Sequence, residues 1–318
     1  MQYRKSHLPF AVLALVISLC SGVACAESLI TNVPEIGPNG IDVNPLTHRV
    51  YVANSGQGTV GVINETTNTQ TATIHVGIDP VGVVVNPVTS RLYVSDIIQN
   101  LVYVVNTQSN QIITSIPVPG NPAQMGINIR LNRVYVSEFG DGSTVAVIDG
   151  NTNTVMASIL VPLPQNFAVN PVNNRVYISN NNFFGAVTVV DGNTNTVIAQ
   201  ISTAGQFTVG VGVDPIRNLI YAADDTGTLN VIDGNTNTLI AQTALNSELV
   251  GLSVNPFTNR IYVSDFTQNQ IDIVDGNTRQ QIGRVPTNIG PSQTTIDLLH
   301  QRLFVGTNAS VSVINTQP

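Results

Sequence analysis

Four carboxylates, Asp96, Glu138, Asp224 and Asp265, occupy one recurring position in this 318-residue chain, and Asn54 and Asn180 fill it twice more. A ring of acidic side chains could hold a cation or a basic peptide. The same residue types also cap tight turns through their own backbone, and the spacing admits both readings. Five phenylalanines, Phe139, Phe183, Phe184, Phe207 and Phe266, and a second acid, Asp225, stand near the series without following its recurrence. Aromatics in polar loops act either as anchors for a partner, here with a carboxylate rim, or as plugs packed onto their own scaffold. The candidate binding set is Asp96, Glu138, Phe139, Phe183, Phe184, Asp224, Asp225, Asp265 and Phe266.

Other chemistry finds less support. His48, His75 and His300 match no metal-ligand spacing such as His-x-x-x-His. Asp-Gly-Asn-Thr-Asn-Thr recurs at 149–154, 191–196 and 233–238. It could suggest a calcium loop, but it lacks the alternating carboxylates and closing Glu of an EF-hand, and a hydrogen-bonded hairpin turn accounts for it better. Arginines recur at 49, 91, 133, 175, 260 and 302, with Leu219 in the remaining copy. They could form an anion-binding ring; covering apolar surface and pairing with a nearby turn carboxylate or carbonyl is the stronger reading. No glycine-rich phosphate loop, haem-attachment Cys-x-x-Cys-His or nucleotide motif is present. No catalytic residue, metal ligand or cofactor is therefore assigned.

These residues are positioned by a repeat. A Tyr-Val-like dipeptide starts at Tyr51, Tyr93, Tyr135, Tyr177, Tyr221 and Tyr262, and a seventh time at Phe304, at intervals of 42, 42, 42, 44, 41 and 42. A period in this range built only of short strands and turns predicts an all-β fold, a seven-bladed β-propeller of four-stranded blades. In the second copy, Val83–Val85 reads as the inner strand and Asn86-Pro87 as the break, because proline cannot continue a central ladder. Strands over 91–95, 101–105 and 111–116 follow. The break carries Asn or Asp in all seven copies. It shares one face with the Asp-Gly-Asn turns, so that face is nearly uniform. The opposite face holds the loops in which the copies differ, and function on a repeat scaffold sits where repeats diverge.

By register, His48 and His300 fall in turns on the uniform face and His75 in an outer strand. Of the residues facing the central channel, Asp42 alone is ionisable. The last copy ends without a fourth strand, while Ile30–Pro34 resembles the fourth strand Ile113–Pro117 of the second copy. The N-terminal segment is thus expected to complete the last blade and close the ring.

Residues 1–26 read as a Sec signal peptide: Arg4 and Lys5, an apolar run from Phe10 to Leu19, and Ala24-Cys25-Ala26 as the cleavage pattern. Residues 27–318 then form the propeller, without cysteine, with ten arginines against nineteen carboxylates. Such a surface repels phosphate backbones, so nucleic acid is not an expected partner. No membrane span is expected after cleavage, and the protein is expected to be a monomer.

The second-strand motifs YVAN, YVSD, YVSE, YISN, YAAD, YVSD and FVGT, inside units such as NPVTSRLYVSD and NPVNNRVYISN and followed by VVDGNTNTV, resemble the YVTN family of β-propeller repeats. That family occurs in bacterial exported proteins and archaeal surface-layer proteins. The resemblance spans residues 30–318 and implies a seven-bladed propeller like that of periplasmic YncE-like proteins, some of which have been linked to single-stranded DNA. The motif describes a blade and transfers no catalytic residue. The reading is an exported binding module of the periplasm or cell surface, with an unknown envelope protein or small ligand as partner. A metal-dependent lactonase- or lyase-like enzyme and a structural envelope module are the alternatives.

Overall fold

The computed structural model describes residues 27–140, 143–203 and 206–317. The signal-peptide expectation for residues 1–26 lies outside them, as does Asp141 of the third variable loop. Among the described residues the chain forms seven four-stranded antiparallel sheets and no helix. Blade 1 runs Pro38–Asn44, Arg49–Asn54, Thr59–Asn64 and Thr69–His75, from axis to rim. Blade 2 runs Pro80–Asn86, Arg91–Asp96, Leu101–Asn106 and Gln111–Pro117, within two or three residues of the strands expected from sequence. Each inner strand packs against those of the blades before and after it, and the seventh against the first, so the blades close into a ring.

Local chemistry sets these boundaries. The Asn86 side chain accepts from the backbone N–H of Val88 (3.0 Å) and Thr89 (3.3 Å), tying the turn that Pro87 opens. The next turn residue, Ser90, has φ +54°, and its counterparts include Asn132, Asn174, Asn218 and Asn259. Asn tolerates this left-handed region better than most residues, which explains its prevalence there. A register shift near the start of the inner strand in blades 1 to 6, as between Pro80 and Val83, adds the twist that a blade needs.

The core lies between blades. Tyr51 packs with Val83, Val85, Leu92 and Val94 of blade 2, and Tyr135 with Val176 and Ile178 of blade 4. All six repeat tyrosines and Phe304 are buried. The repeated arginines join the same contacts. Arg49 Nη1 donates to the Thr107 carbonyl of blade 2 at 2.5 Å, and Arg91, Arg133 and Arg175 donate to the carbonyls of Gly150, Gly192 and Gly234 in the blade that follows. Their partner is a turn carbonyl, as read from sequence, but it belongs to the neighbouring blade.

The ring closes as expected. Ser28–Pro34 is the outer strand of blade 7, antiparallel to Ser310–Asn315, with Ser28 opposite Asn315 and Pro34 opposite Ser310. Val33 is buried with Val311, Val313 and Phe304, and Glu27 forms an ion pair with Arg260 of blade 6.

Candidate functional site

On the variable face the recurrent carboxylates end their second strands, and the structure assigns most of their capacity to local turns. Asp96 is fully buried; its Oδ1 accepts from the N–H groups of Ile98 (3.0 Å) and Gln99 (2.9 Å), and its Oδ2 from Ile78 (2.5 Å) and Asp79 (3.2 Å). Asp224, also buried, accepts from the Thr226 hydroxyl (2.8 Å) and the Thr228 N–H (2.9 Å). Asp265 accepts from the Gln268 N–H (2.9 Å), the Gln270 amide (3.1 Å) and the Ser247 hydroxyl. These three residues cap turns and present no open ring of acids, as the alternative reading held. Asp225 differs. It is half-buried, and burial, reinforced by Asp224 and Glu248, raises its carboxyl above the ordinary range.

Glu138 also differs. Its side chain reaches past the turn and accepts from the Thr144 hydroxyl at 2.6 Å. Burial raises its carboxyl, against the Thr144 hydrogen bond. It lines a cavity of about 380 Å³ with Gly120, Gly140, Ala146 and Ser158. The cavity exists because the third-strand residue is small: equivalent positions hold Tyr103, Thr188, Asn230 and Asp272. Blade 1 repeats the arrangement. Gly61 takes the small position, and a cavity of about 600 Å³ is lined by Glu35, Asn54 and Thr59. Glu35 accepts from the Asn54 amide at 3.0 Å, and burial raises its carboxyl too. Sequence reasoning missed Glu35; a glycine in mid-strand was the available signal.

The loop phenylalanines are exposed: Phe184 at 79%, Phe183 at 60%, Phe139 at 42% and Phe266 at 39%. Phe183 meets Phe184 edge-on, with centroids 5.7 Å apart, and Phe207 at 6.1 Å, a favourable geometry for aromatic pairs. Phe207 is the half-buried foot of this group.

The channel holds a cavity of about 260 Å³. Among the described residues, Asp42 is the one titratable side chain lining it. Burial pushes its carboxyl up to about 6, against hydrogen bonds from the N–H of Val85 (2.8 Å), the N–H of Val43 (2.9 Å) and the hydroxyl of Thr295 (3.2 Å). Three blades thus hold it. Gln124 bonds Asn39 at 3.0 Å nearby.

A further constellation was not found from sequence. His48 and His300 both lie in uniform-face turns, as expected, but ring closure brings their rings to 4.1 Å. Glu65 Oε1 sits 2.9 Å from His48 Nδ1 and 2.8 Å from His300 Nδ1, and His300 Nδ1 is 2.9 Å from Asp297 Oδ2. Burial raises the Glu65 carboxyl, opposed by His48 and reinforced by Asp297. Asp297 is pushed up by burial, but its hydrogen bonds with His300 and Glu65 outweigh this and hold it below its ordinary value. The available signal was a departure from the repeat: Glu65 occupies the place of Gly150, Gly192, Gly234 and Gly276.

No protein-family model matches the chain, and no curated protein matches it. Among solved structures it is similar to a chain of Kuenenia stuttgartiensis hydrazine synthase, at 18% identity and a TM-score of 0.78, over 88% of this chain and 96% of that one. At this identity the likeness shows the fold alone, a seven-bladed β-propeller.

Proposed function

We propose that this protein is an exported binding module of the YVTN propeller type, acting in the periplasm or at the cell surface, and that its contact surface is the variable face. The observation that carries the reading is the exposure of Phe139, Phe183, Phe184 and Phe266 on the face that also opens the Glu138 cavity. Aromatic anchors beside a recessed carboxylate suit a basic, partly apolar segment of an envelope partner. Asp225 adds acidity, whereas Asp96, Asp224 and Asp265 contribute by shaping the loops.

The test replaces Phe139, Phe183, Phe184 and Phe266 together with serine. All four are exposed, so the melting midpoint should stay within a few degrees. A partner captured from envelope extract and then purified should bind the parent protein and lose about 100-fold in affinity for the variant, the size expected when hot-spot anchors are removed. Equal affinity for both would refute the assignment.

A second reading, the structural envelope module, has one observation in its favour. The uniform face exposes an apolar side chain in the same turn of six blades: Leu46, Val88, Val172, Ile216, Phe257 and Leu299. Concentration-dependent self-association in sedimentation, abolished by polar replacements at Val88, Val172 and Phe257, would favour it.

A further inference from the structure

The histidine–carboxylate group at the closing seam is a complete donor set for a metal ion. His48 and Glu65 come from blade 1, Asp297 and His300 from blade 7. The nearest ligand atoms of His48, Glu65 and His300 lie within 4.8 Å of one another. Four-coordinate zinc at ~2.1 Å separates its ligand atoms by roughly 3.4 Å, so an ion fits here with small side-chain movements. Glu65 is 2% exposed, and no N–H group donates to its buried second carboxylate oxygen, which lies near the buried Asp297. Asp297 has donors of its own in the N–H groups of Leu299 and His300 and the His300 ring, so the unmet demand is that of Glu65, and a cation would meet it. A divalent ion balances both charges and leaves the imidazoles neutral, the form in which they bind metal.

The rest of the ring shows what this seam replaces. Between blades 3 and 4, Asn128 donates to Asn174 (3.2 Å), Asn174 donates to Asn193 (3.1 Å), and Gly192 stands where Glu65 stands in blade 1. A Cβ on Gly192 would come within 2.5 Å of the Asn174 carbonyl oxygen. In blade 1 the corresponding N–H···O bond, from Glu65 to His48, is 3.1 Å against 2.8 Å at Gly192, and the wider turn admits a side chain. Metal-competent residues thus stand at three equivalent positions of the one seam where the first and last blades meet: Asp297 for Asn128, His48 for Asn174 and Glu65 for Gly192. His300 joins them from the turn position of Leu131.

We propose that His48, His300 and Glu65, with Asp297 as a fourth or supporting ligand, bind a divalent transition ion of the zinc class that clips blade 7 to blade 1. Imidazole nitrogen with carboxylate oxygen selects zinc, nickel or copper over calcium and magnesium, which prefer all-oxygen sites. His48 and His300 are 42% and 33% exposed, so the ion has a route in and room for a water ligand. A clip joining residues 48 and 300 closes nearly the whole chain, and binding to the folded state alone raises its stability.

The test is calorimetric titration of the purified, EDTA-stripped and dialysed protein with zinc chloride, with calcium chloride as a parallel arm. One zinc per chain should bind, and zinc at 100 times its dissociation constant should raise the melting midpoint by several degrees. His48→Ala and His300→Ala should each weaken zinc binding at least 100-fold, while His75→Ala, on an exposed outer strand, should leave it unchanged. Should either alanine variant fold poorly, His300→Gln serves instead, and cobalt(II) absorption in the parent protein reports nitrogen ligation directly. Absence of zinc binding, calcium binding in its place, or zinc binding that survives loss of both histidines would each overturn the proposal.

Discussion

The seam between blades 3 and 4 and the seam between blades 7 and 1 use the same positions to different ends. Both bury an aromatic residue, Tyr135 in one and Phe304 in the other, against the next blade. Both send a second-strand arginine into the next blade's turn: Arg133 reaches Asn195 Oδ1 at 3.2 Å, and Arg302 reaches Asn68 Oδ1 at 3.2 Å. Between these shared layers, the ordinary seam carries a chain of amides and the closing seam carries two acids and two imidazoles. Apolar and arginine contacts therefore define a generic joint, and the polar layer between them is free to diverge. Ordinary joints are also fastened by covalent continuity, because one blade's outer strand leads directly into the next. At the closing seam the outer strand Ser28–Pro34 likewise leads into blade 1, but strand pairing rather than a chain link joins it to the rest of blade 7.

The largest effect should follow from removing that pairing. Deleting residues 27–36 takes away the outer strand of blade 7 and the Glu27 partner of Arg260. A sheet that loses its outer strand exposes Val311 and Val313 together with a ladder edge. The loss should approach the whole stability of a domain, about 5–15 kcal/mol, and the truncated protein should show no cooperative melting. A midpoint equal to that of the intact chain would show that the uniform-face cluster and inner strands close the ring unaided.

Next come the paired core truncations. Tyr135→Ala and Phe304→Ala each remove a buried aromatic ring, at a cost of about 3–5 kcal/mol. If the apolar layer is generic, the two penalties measured by denaturant titration should agree within about 1 kcal/mol. A much smaller penalty for Phe304→Ala would mean that the closing seam is loosely packed and leans on its polar layer, which would break the comparison.

What was legible in the sequence was whatever the repeat states locally. Strand limits follow from apolar runs and from Asn-Pro breaks, so blades, ring size and the closing strand could all be read before any coordinates. Side-chain destinations were legible only within one turn. Asp96 and Asp265 could be read as caps or as ligands because their partners, such as Ile98 and Gln268, lie two or three residues away. Arg91 reaches Gly150 in the next blade, beyond the range that periodicity reports. The Glu138 cavity depends on the size of Ala146 across the strand pair. His48 and His300 become neighbours only through closure of the entire ring, and a reading by spacing could not pair them. Their signal was that Glu65 stands where four copies carry glycine and two carry threonine, the one ionisable residue at that position and interpretable only beside the others.

The smallest effect concerns the axial end of the two seams. Thr295 of blade 7 donates to Asp42 of blade 1, while the matching residues between blades 3 and 4 are Gly126 and Ala168, which cannot titrate. Burial raises the Asp42 carboxyl to about 6 from its ordinary 3.8. Between those values the folded protein holds a proton that the unfolded chain has released, so this group's contribution to stability is complete below about pH 4 and declines as pH rises to 6. The span of about two pKa units corresponds to roughly 3 kcal/mol. Asp42→Asn removes the titration, but it also turns an amide N–H₂ toward the Val85 N–H that Oδ2 now accepts, a loss of about 1 kcal/mol. The variant should therefore melt below the parent at pH 4 and at or above it at pH 7, the two curves crossing between. Asp272, also raised to about 6 by burial and by Asp265, stands in blade 6 and keeps its own slope in both proteins, so it cancels in the difference. Melting curves that stay parallel from pH 4 to 7 would show that the channel solvates Asp42 and that the axial layer of the closing seam is as indifferent to pH as that of an ordinary one.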